Sequence, residues 1–143
     1  MSARKARTAP TQPRAITATA AMRTLRDWFA ARGWSPLPFQ REAWTRYLAG
    51  ESGLIHTPTG SGKTLAAFGG PLLDALRGNT APGARAPGPT LLWVTPLRAL
   101  ANDTVRALRE PVYALGLPWT VGMRTGDASA REKRLARAGK LDV

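Results

Sequence analysis

The chain has 143 residues, which is room for one domain with a real core and not for two lobes. With 21 Lys+Arg against 9 Asp+Glu the formal charge is +12, and no stretch approaches the roughly 18 consecutive apolar residues of a membrane span. The chain has no cysteine and one histidine, His56, which excludes disulfides, thiolate nucleophiles, cysteine metal sites and histidine clusters. A basic chain of this kind suits a polyanionic partner, although charge alone does not separate nucleic acid from an acidic lipid surface. A cytoplasmic location, away from any membrane, is the expectation.

Residues 1–21 carry Arg4, Lys5, Arg7 and Arg14, no acid, and hardly a bulky apolar side chain. They are expected to form a disordered basic tail, with residues 22–143 as the folded part. An acid-poor leader also has the composition of a transit peptide, but Pro10 and Pro13 spoil an amphipathic helix there. A start of translation at Met22, where the periodic pattern begins, is the blander account. Leu25, Trp28, Phe29 and Arg32 then fall at i, i+3, i+4 and i+7 before Gly33, and Phe39, Ala43, Tyr47 and Leu48 repeat a helical spacing before Gly50. Each glycine reads as a helix stop. Trp28, Trp34 and Trp44 could stack on adenine or a base, but aromatics at helical spacing are more often core; Trp28 reads as core, while Trp34 is left open.

Residues 52–57 (SGLIHT) have strand length and are followed by the loop TPTGSGKT and a helix through Arg77, which Gly69, Gly70 and Pro71 are expected to kink or shorten. Residues 78–89 read as a surface loop. TLLWVT at 90–95 reads as a buried strand, Leu97, Leu100, Ala101, Thr104, Val105 and Leu108 as a crossover helix, and WTVGMR at 119–124 as a third strand. Ser129 with Glu132 forms a capping-box pattern for a helix running to about Ala138, and residues 141–143 look like the start of a fourth strand. Strands alternating with helices predict an α/β fold with a parallel sheet.

The loop at 57–64 matches the end of G-x-x-x-x-G-K-[ST] through Gly62, Lys63 and Thr64, but opens on Thr57 in place of glycine. The chemistry survives that departure, because a phosphate is held by the successive backbone N–H groups of Gly60, Ser61, Gly62 and Lys63 at a helix N-terminus. Lys63 adds a point charge for the outer phosphates, and the Thr64 hydroxyl suits Mg2+. The bland alternative is a glycine-rich turn with a surface lysine. The strand before the loop and the helix within it favour the phosphate cradle. Upstream, Gln40 has an amide that can face adenine, accepting from N6–H and donating to N7; by itself it reads more readily as a solvated residue at a helix start.

PLPFQREAW ahead of TPTGSGKT, then TPLRALAND, then RTGD, stand in the order and spacing of the first lobe of superfamily 2 helicases. The opening WFAARGW with PFQREAW resembles the ligase-associated DEXH-box helicases of the Lhr type, over about residues 25–143. The resemblance implies a RecA-like P-loop NTPase lobe and ATP-dependent DNA translocation and unwinding, with ATP and Mg2+ as cofactors. Lys63 and Thr64 would serve catalysis, Thr64 holding the metal. Gln40, Thr59, Gly60, Ser61, Gly62, Lys63 and Thr64 would bind the nucleotide. Pro96, Leu97 and Arg98, with Thr125, Gly126 and Asp127, would contact the nucleic acid: DNA, with RNA left open. A DNA ligase or repair factors are the implied protein partners. The helix near Leu97 gives these contacts a physical basis, since free N–H groups at its start can hold a backbone phosphate; solvated surface charge is the alternative for Arg98 and Arg124.

The acidic DEXH string is absent, and neither Asp127 nor Asp142 follows an apolar run that would replace it. The second lobe is absent too. The expectation is therefore a fragment of a longer helicase, truncated before the DEXH-box strand and inactive alone. A short non-catalytic nucleic-acid-binding protein with a degenerate lobe is the alternative, and a small phosphate-loop kinase is disfavoured because TPLRALAND has no role in one.

Overall fold

The computed structural model describes residues 16–78, 89–96, 98–126 and 128–143. Helix α1 (Ala18–Ala30) starts where the Thr17 hydroxyl accepts the Ala20 N–H at 3.2 Å. It begins ahead of Met22, because Ala21 already belongs to its buried stripe with Leu25, Trp28 and Phe29. Most of the expected basic tail, residues 1–15, lies outside the described residues, as does most of the 78–89 loop. Helix α2 (Pro38–Leu48) opens on a proline whose missing N–H costs nothing in a first turn.

Helix α3 (Lys63–Leu76) is buried on nearly every side, through Ala66, Phe68, Gly69, Gly70, Pro71, Leu72, Leu73, Ala75 and Leu76. It is the axis of the molecule, touched by α1, α2 and α4 (Arg98–Ala114). The expected shortening at Gly69–Pro71 does not occur: the helix runs on to Leu76. Burying Phe68, Leu72 and Leu73 stabilises the folded state by roughly 1.5–3 kcal/mol each, enough to offset the helix hydrogen bond that Pro71 removes. Helix α5 (Ala130–Arg137) is capped as the sequence predicts, with Ser129 Oγ accepting the Glu132 N–H and the Glu132 carboxylate accepting the Ser129 N–H, but it buries no residue.

The parallel sheet is not formed. Among the described residues there is no strand, and the segments expected as strands at 52–57, 90–95, 119–124 and 141–143 run without a ladder. What joins three of them is a few backbone bonds around residues 141–143. The Asp142 carbonyl accepts from Thr90 and Leu91 at 2.9 Å each, Asp142 N donates to the Thr120 carbonyl at 2.9 Å, and Gly122 N donates to the Val143 carbonyl at 2.9 Å. Alternation and apolar runs code for extension, which is local. A sheet also needs neighbours whose bonds continue along the strand, and here each contact ends after a residue or two. One face of these segments does reach the core: Trp93 and Trp119 stand against Phe68, with ring centroids 6.4 and 6.2 Å away. The other face is open, with Leu54 90%, Leu92 78% and Val94 81% exposed.

A polar link joins the turn after α1 to α4. Arg32 lies over the Trp28 ring, 4.0 Å from its centroid, and pairs with Glu110 of α4. Trp28 is core, and its buried indole N–H has no partner among the described residues. Trp34 is half exposed and meets Trp28 and Phe29 edge-on.

Candidate functional site

The loop between the extended segment at 52–57 and α3 takes a conformation only glycine adopts cheaply. Gly60 has φ +80° and Gly62 has φ +90°, in the left-handed region, and Lys63 is the first residue of α3. The N–H groups of the first helical turn have no intrahelical acceptor, so the loop and the positive end of the α3 dipole come together around Lys63. Thr59, Gly60 and Lys63 are exposed, and Ser61, Gly62 and Thr64 are partly so. The loop is braced from within. Thr57 Oγ1 and Ser61 Oγ are 2.6 Å apart, and Lys63 Nζ donates to the carbonyls of Thr57 at 2.7 Å and Pro58 at 3.2 Å.

Gln40 belongs to this loop physically, not only by order in the chain. It is 3% exposed, so the solvated alternative is excluded. Its Oε1 accepts the Leu37 N–H at 2.8 Å, closing the first turn of α2, and its Nε2 donates to the Gly62 carbonyl at 3.1 Å. A side chain at Gly62 would bring its Cβ to 2.7 Å from Gln40 Nε2. Each amide atom of Gln40 keeps one further hydrogen-bonding position, one N–H and one lone pair.

The fit to a nucleotide is therefore good for the phosphates: left-handed glycines, first-turn amides without an intrahelical acceptor and a lysine at one helix start, with the Ser61 N–H turned to the Pro58 carbonyl at 3.4 Å. It is thinner for the metal. Among the described residues no group of three His, Asp or Glu side chains is placed to hold an ion, so the Thr64 hydroxyl and the phosphates themselves would have to carry Mg2+.

The residues expected to contact nucleic acid are described only in part. Leu97, Asp127 and the Arg98 side chain are outside the described residues. Pro96 is exposed, directly ahead of α4. Its neighbour Thr95 and the pair Arg124 and Thr125 line one cavity of about 480 Å3, between residues 89–95, α4 and residues 122–125. The Gly126 carbonyl accepts from Lys133 Nζ at 2.8 Å, so α5 is tied to this loop. The Ser129 hydroxyl, then its backbone N–H, hold the Glu132 carboxyl below the usual carboxylate range. Asp142, weighed as a substitute acid, is engaged elsewhere, its carboxylate accepting the Thr120 N–H at 2.8 Å.

Compared with known proteins, the chain matches the DEAD/DEAH box helicase family over residues 37–143. The chain belongs to the DEAD/DEAH box helicase family. This helicase chain is 41% identical over 130 residues to the Lhr helicase of Mycolicibacterium smegmatis, covering 82% of the chain and 8% of that protein. It is 32% identical over 131 residues to the Lhr helicase/uracil glycosylase of Escherichia coli, again 82% of the chain and 8% of the relative. It is 39% identical over 121 residues to the ATP-dependent helicase Lhr-Core protein 2 of Thermococcus barophilus, 77% of the chain and 14% of that protein. The helicase chain thus spans about a tenth of the length of the curated relatives it matches. No solved structure matches it significantly.

The role of one residue beside this loop escaped sequence reasoning, which weighed Trp44 only between stacking and core. Trp44 is fully buried and donates its indole N–H to the Leu65 carbonyl in the first turn of α3 at 2.9 Å. Its spacing four residues after Gln40 was the available signal.

Proposed function

We propose that the chain is the nucleotide-gripping segment of an ATP-dependent helicase or translocase acting on DNA. The observation that carries this is the left-handed Gly60 and Gly62 leading into Lys63 at the head of α3, a backbone cradle for phosphates. Gln40 supports ATP over other nucleotides, since its remaining N–H and lone pair match adenine N7 and N6–H. Thr64 would offer its hydroxyl to Mg2+. A metal bound there would neutralise charge on the phosphates, while Lys63 would add a second positive group and the loop amides would orient the phosphates.

DNA is the chosen substrate because the resemblance to the Lhr-type helicases implies it; the E. coli relative is named a helicase/uracil glycosylase. Contact through Pro96, Leu97, Arg98, Thr125, Gly126 and Asp127 would be to the backbone, so affinity should fall steeply with salt and vary little with sequence.

Titration of the 143-residue chain with ATP and Mg2+ tests the reading. Lys63→Ala should weaken binding at least tenfold, the scale of one charge-assisted hydrogen bond; equal dissociation constants for the two proteins would remove the phosphate role of the loop. The same chain should not turn ATP over, with or without DNA, because its sequence holds no paired acids of the DEXH kind to fix the metal and position water. Turnover that disappears in Lys63→Ala would overturn that expectation.

A further inference from the structure

One face of α2 follows α3 rung by rung. Gln40 meets the Gly62 carbonyl, Trp44 meets the Leu65 carbonyl, and Tyr47 lies over Gly70. These are positions i, i+4 and i+7 of a single helical stripe. The middle rung is unusual. In an α-helix the Leu65 carbonyl is already the acceptor for residue 69, so a second donor must reach it from the side. It can do so because residue 69 is glycine: a Cβ there would fall on Trp44 Nε1 and Cε2, and one at Gly70 would stand 2.6 Å from the Tyr47 ring. The two glycines therefore make a shallow trough in α3 that admits two aromatic rings, and the polar edge of one ring is spent on the backbone two residues beyond Lys63.

We propose that Trp44 is a positioning residue for the phosphate loop. Its indole N–H holds the first turn of α3 in register with α2, which keeps the Gln40 amide on the Gly62 carbonyl and the left-handed glycine, with the N–H groups after it, in the phosphate-holding arrangement. Trp44 touches no ligand. It acts through Leu65 and, with Gln40, fixes both sides of the Lys63 turn. This rests on the reading of the loop as a nucleotide site, and its consequence is that Trp44 serves the phosphates and not the base.

The test uses Trp44→Phe, which keeps an aromatic ring and removes the N–H, and Gly69→Ala, which keeps Trp44 and fills the trough. Both are made in the full 143-residue chain. Binding of inorganic tripolyphosphate with Mg2+ is measured beside ATP with Mg2+, and backbone amide exchange is followed without ligand. Trp44→Phe should weaken tripolyphosphate and ATP by the same factor, roughly three- to tenfold, the scale of one net hydrogen bond. Exchange at residues 60–66 should accelerate, with α1 unchanged.

Gly69→Ala should act in the same direction and more strongly, and the double variant should lose less than the product of the two single losses, because the smaller ring tolerates the added methyl. If Trp44→Phe does not fold, local acceleration at 60–66 in Gly69→Ala supports the proposal and unchanged exchange there overturns it. Uniform acceleration through α1, α2 and α3 would make Trp44 an ordinary core residue, and a loss confined to ATP would assign it to the base; either overturns the proposal. Should the parent bind neither ligand, the nucleotide reading falls separately, and the exchange at 60–66 alone decides whether Trp44 holds the loop.

Discussion

In residues 18–76 the helices pack on α3, α1 through an apolar stripe and α2 through side chains whose polar tips reach its backbone, while in the extended segment at 91–95 the side chains alternate between a partly buried row and an open one. Gln40 and Trp44 end on backbone carbonyls of α3, whereas Leu92 and Val94 end in solvent. The first half closes by packing helices whose backbone bonds are already made within each helix, with Ile16 N bonded to the Leu76 carbonyl at 3.4 Å. The second half depends on pairings between segments about twenty or more residues apart, and it secures only the few around Asp142 and Val143. Helices carry their own backbone bonds and are completed by side-chain packing; extended segments need a neighbour's backbone, and here they obtain it at only a residue or two.

Substitutions in the two halves can break or sharpen that contrast. Phe68 touches both, through Trp93 and Trp119 on one side and the α3 core on the other. Phe68→Ala should cost about 3–5 kcal/mol, read as a shift in the urea midpoint at unchanged m-value; a cost under about 1 kcal/mol, set against that scale, would mean that the two halves do not share a core.

A smaller effect is expected at the Arg32 link. Arg32→Ala loses the stacking on Trp28 and the half-exposed pairing with Glu110, together worth about 1 kcal/mol. A double-mutant cycle with Glu110→Ala separates the two parts, and full additivity would show that the ion pair contributes nothing.

In the open row, Leu92→Ser and Val94→Ser should change stability by no more than about 0.5 kcal/mol while reducing light scattering by concentrated protein, because exposed apolar extended segments promote association. A large loss of stability there would show that the row is covered in solution.

The smallest effect is at the start of α5. The Glu132 pKa is lowered by the Ser129 hydroxyl and then by its N–H. The stabilisation this brings is present above the unfolded carboxylate pKa and lost as pH falls through the lower folded value. The Cα shifts of Ala130 and Arg131 should therefore move toward coil in acid, and Glu132→Gln should abolish that titration.

What could be read from the sequence was what neighbours decide. The Ser129 cap, the helix stops at Gly33 and Gly50 and the left-handed turn at Gly60 and Gly62 each depend on a few adjacent residues. The tolerance of Pro71 was not legible, since it depends on how fully Leu72 and Leu73 are covered by helices from elsewhere. Nor was the sheet: the alternation at 91–95 foretells which side chains point together, and it does not say what bonds to the backbone beside them. At the candidate site, Gly60, Gly62 and Lys63 announced themselves by motif. Trp44 did not, because its partner is a carbonyl, and a carbonyl is present at every position and marks none.

In the phosphate role proposed above, the grip of Lys63 on the Thr57 and Pro58 carbonyls would make the loop a filter. An ammonium already satisfied by two oxygens gains little by leaving them for a chloride or a lone sulfate. A polyphosphate offers several charged oxygens at once and repays the exchange. Because an exposed side chain changes rotamer in picoseconds to nanoseconds, this discrimination costs no time at encounter. The loop can thus ignore the abundant small anions around it and still answer at once to the rarer ligand with phosphates in a row.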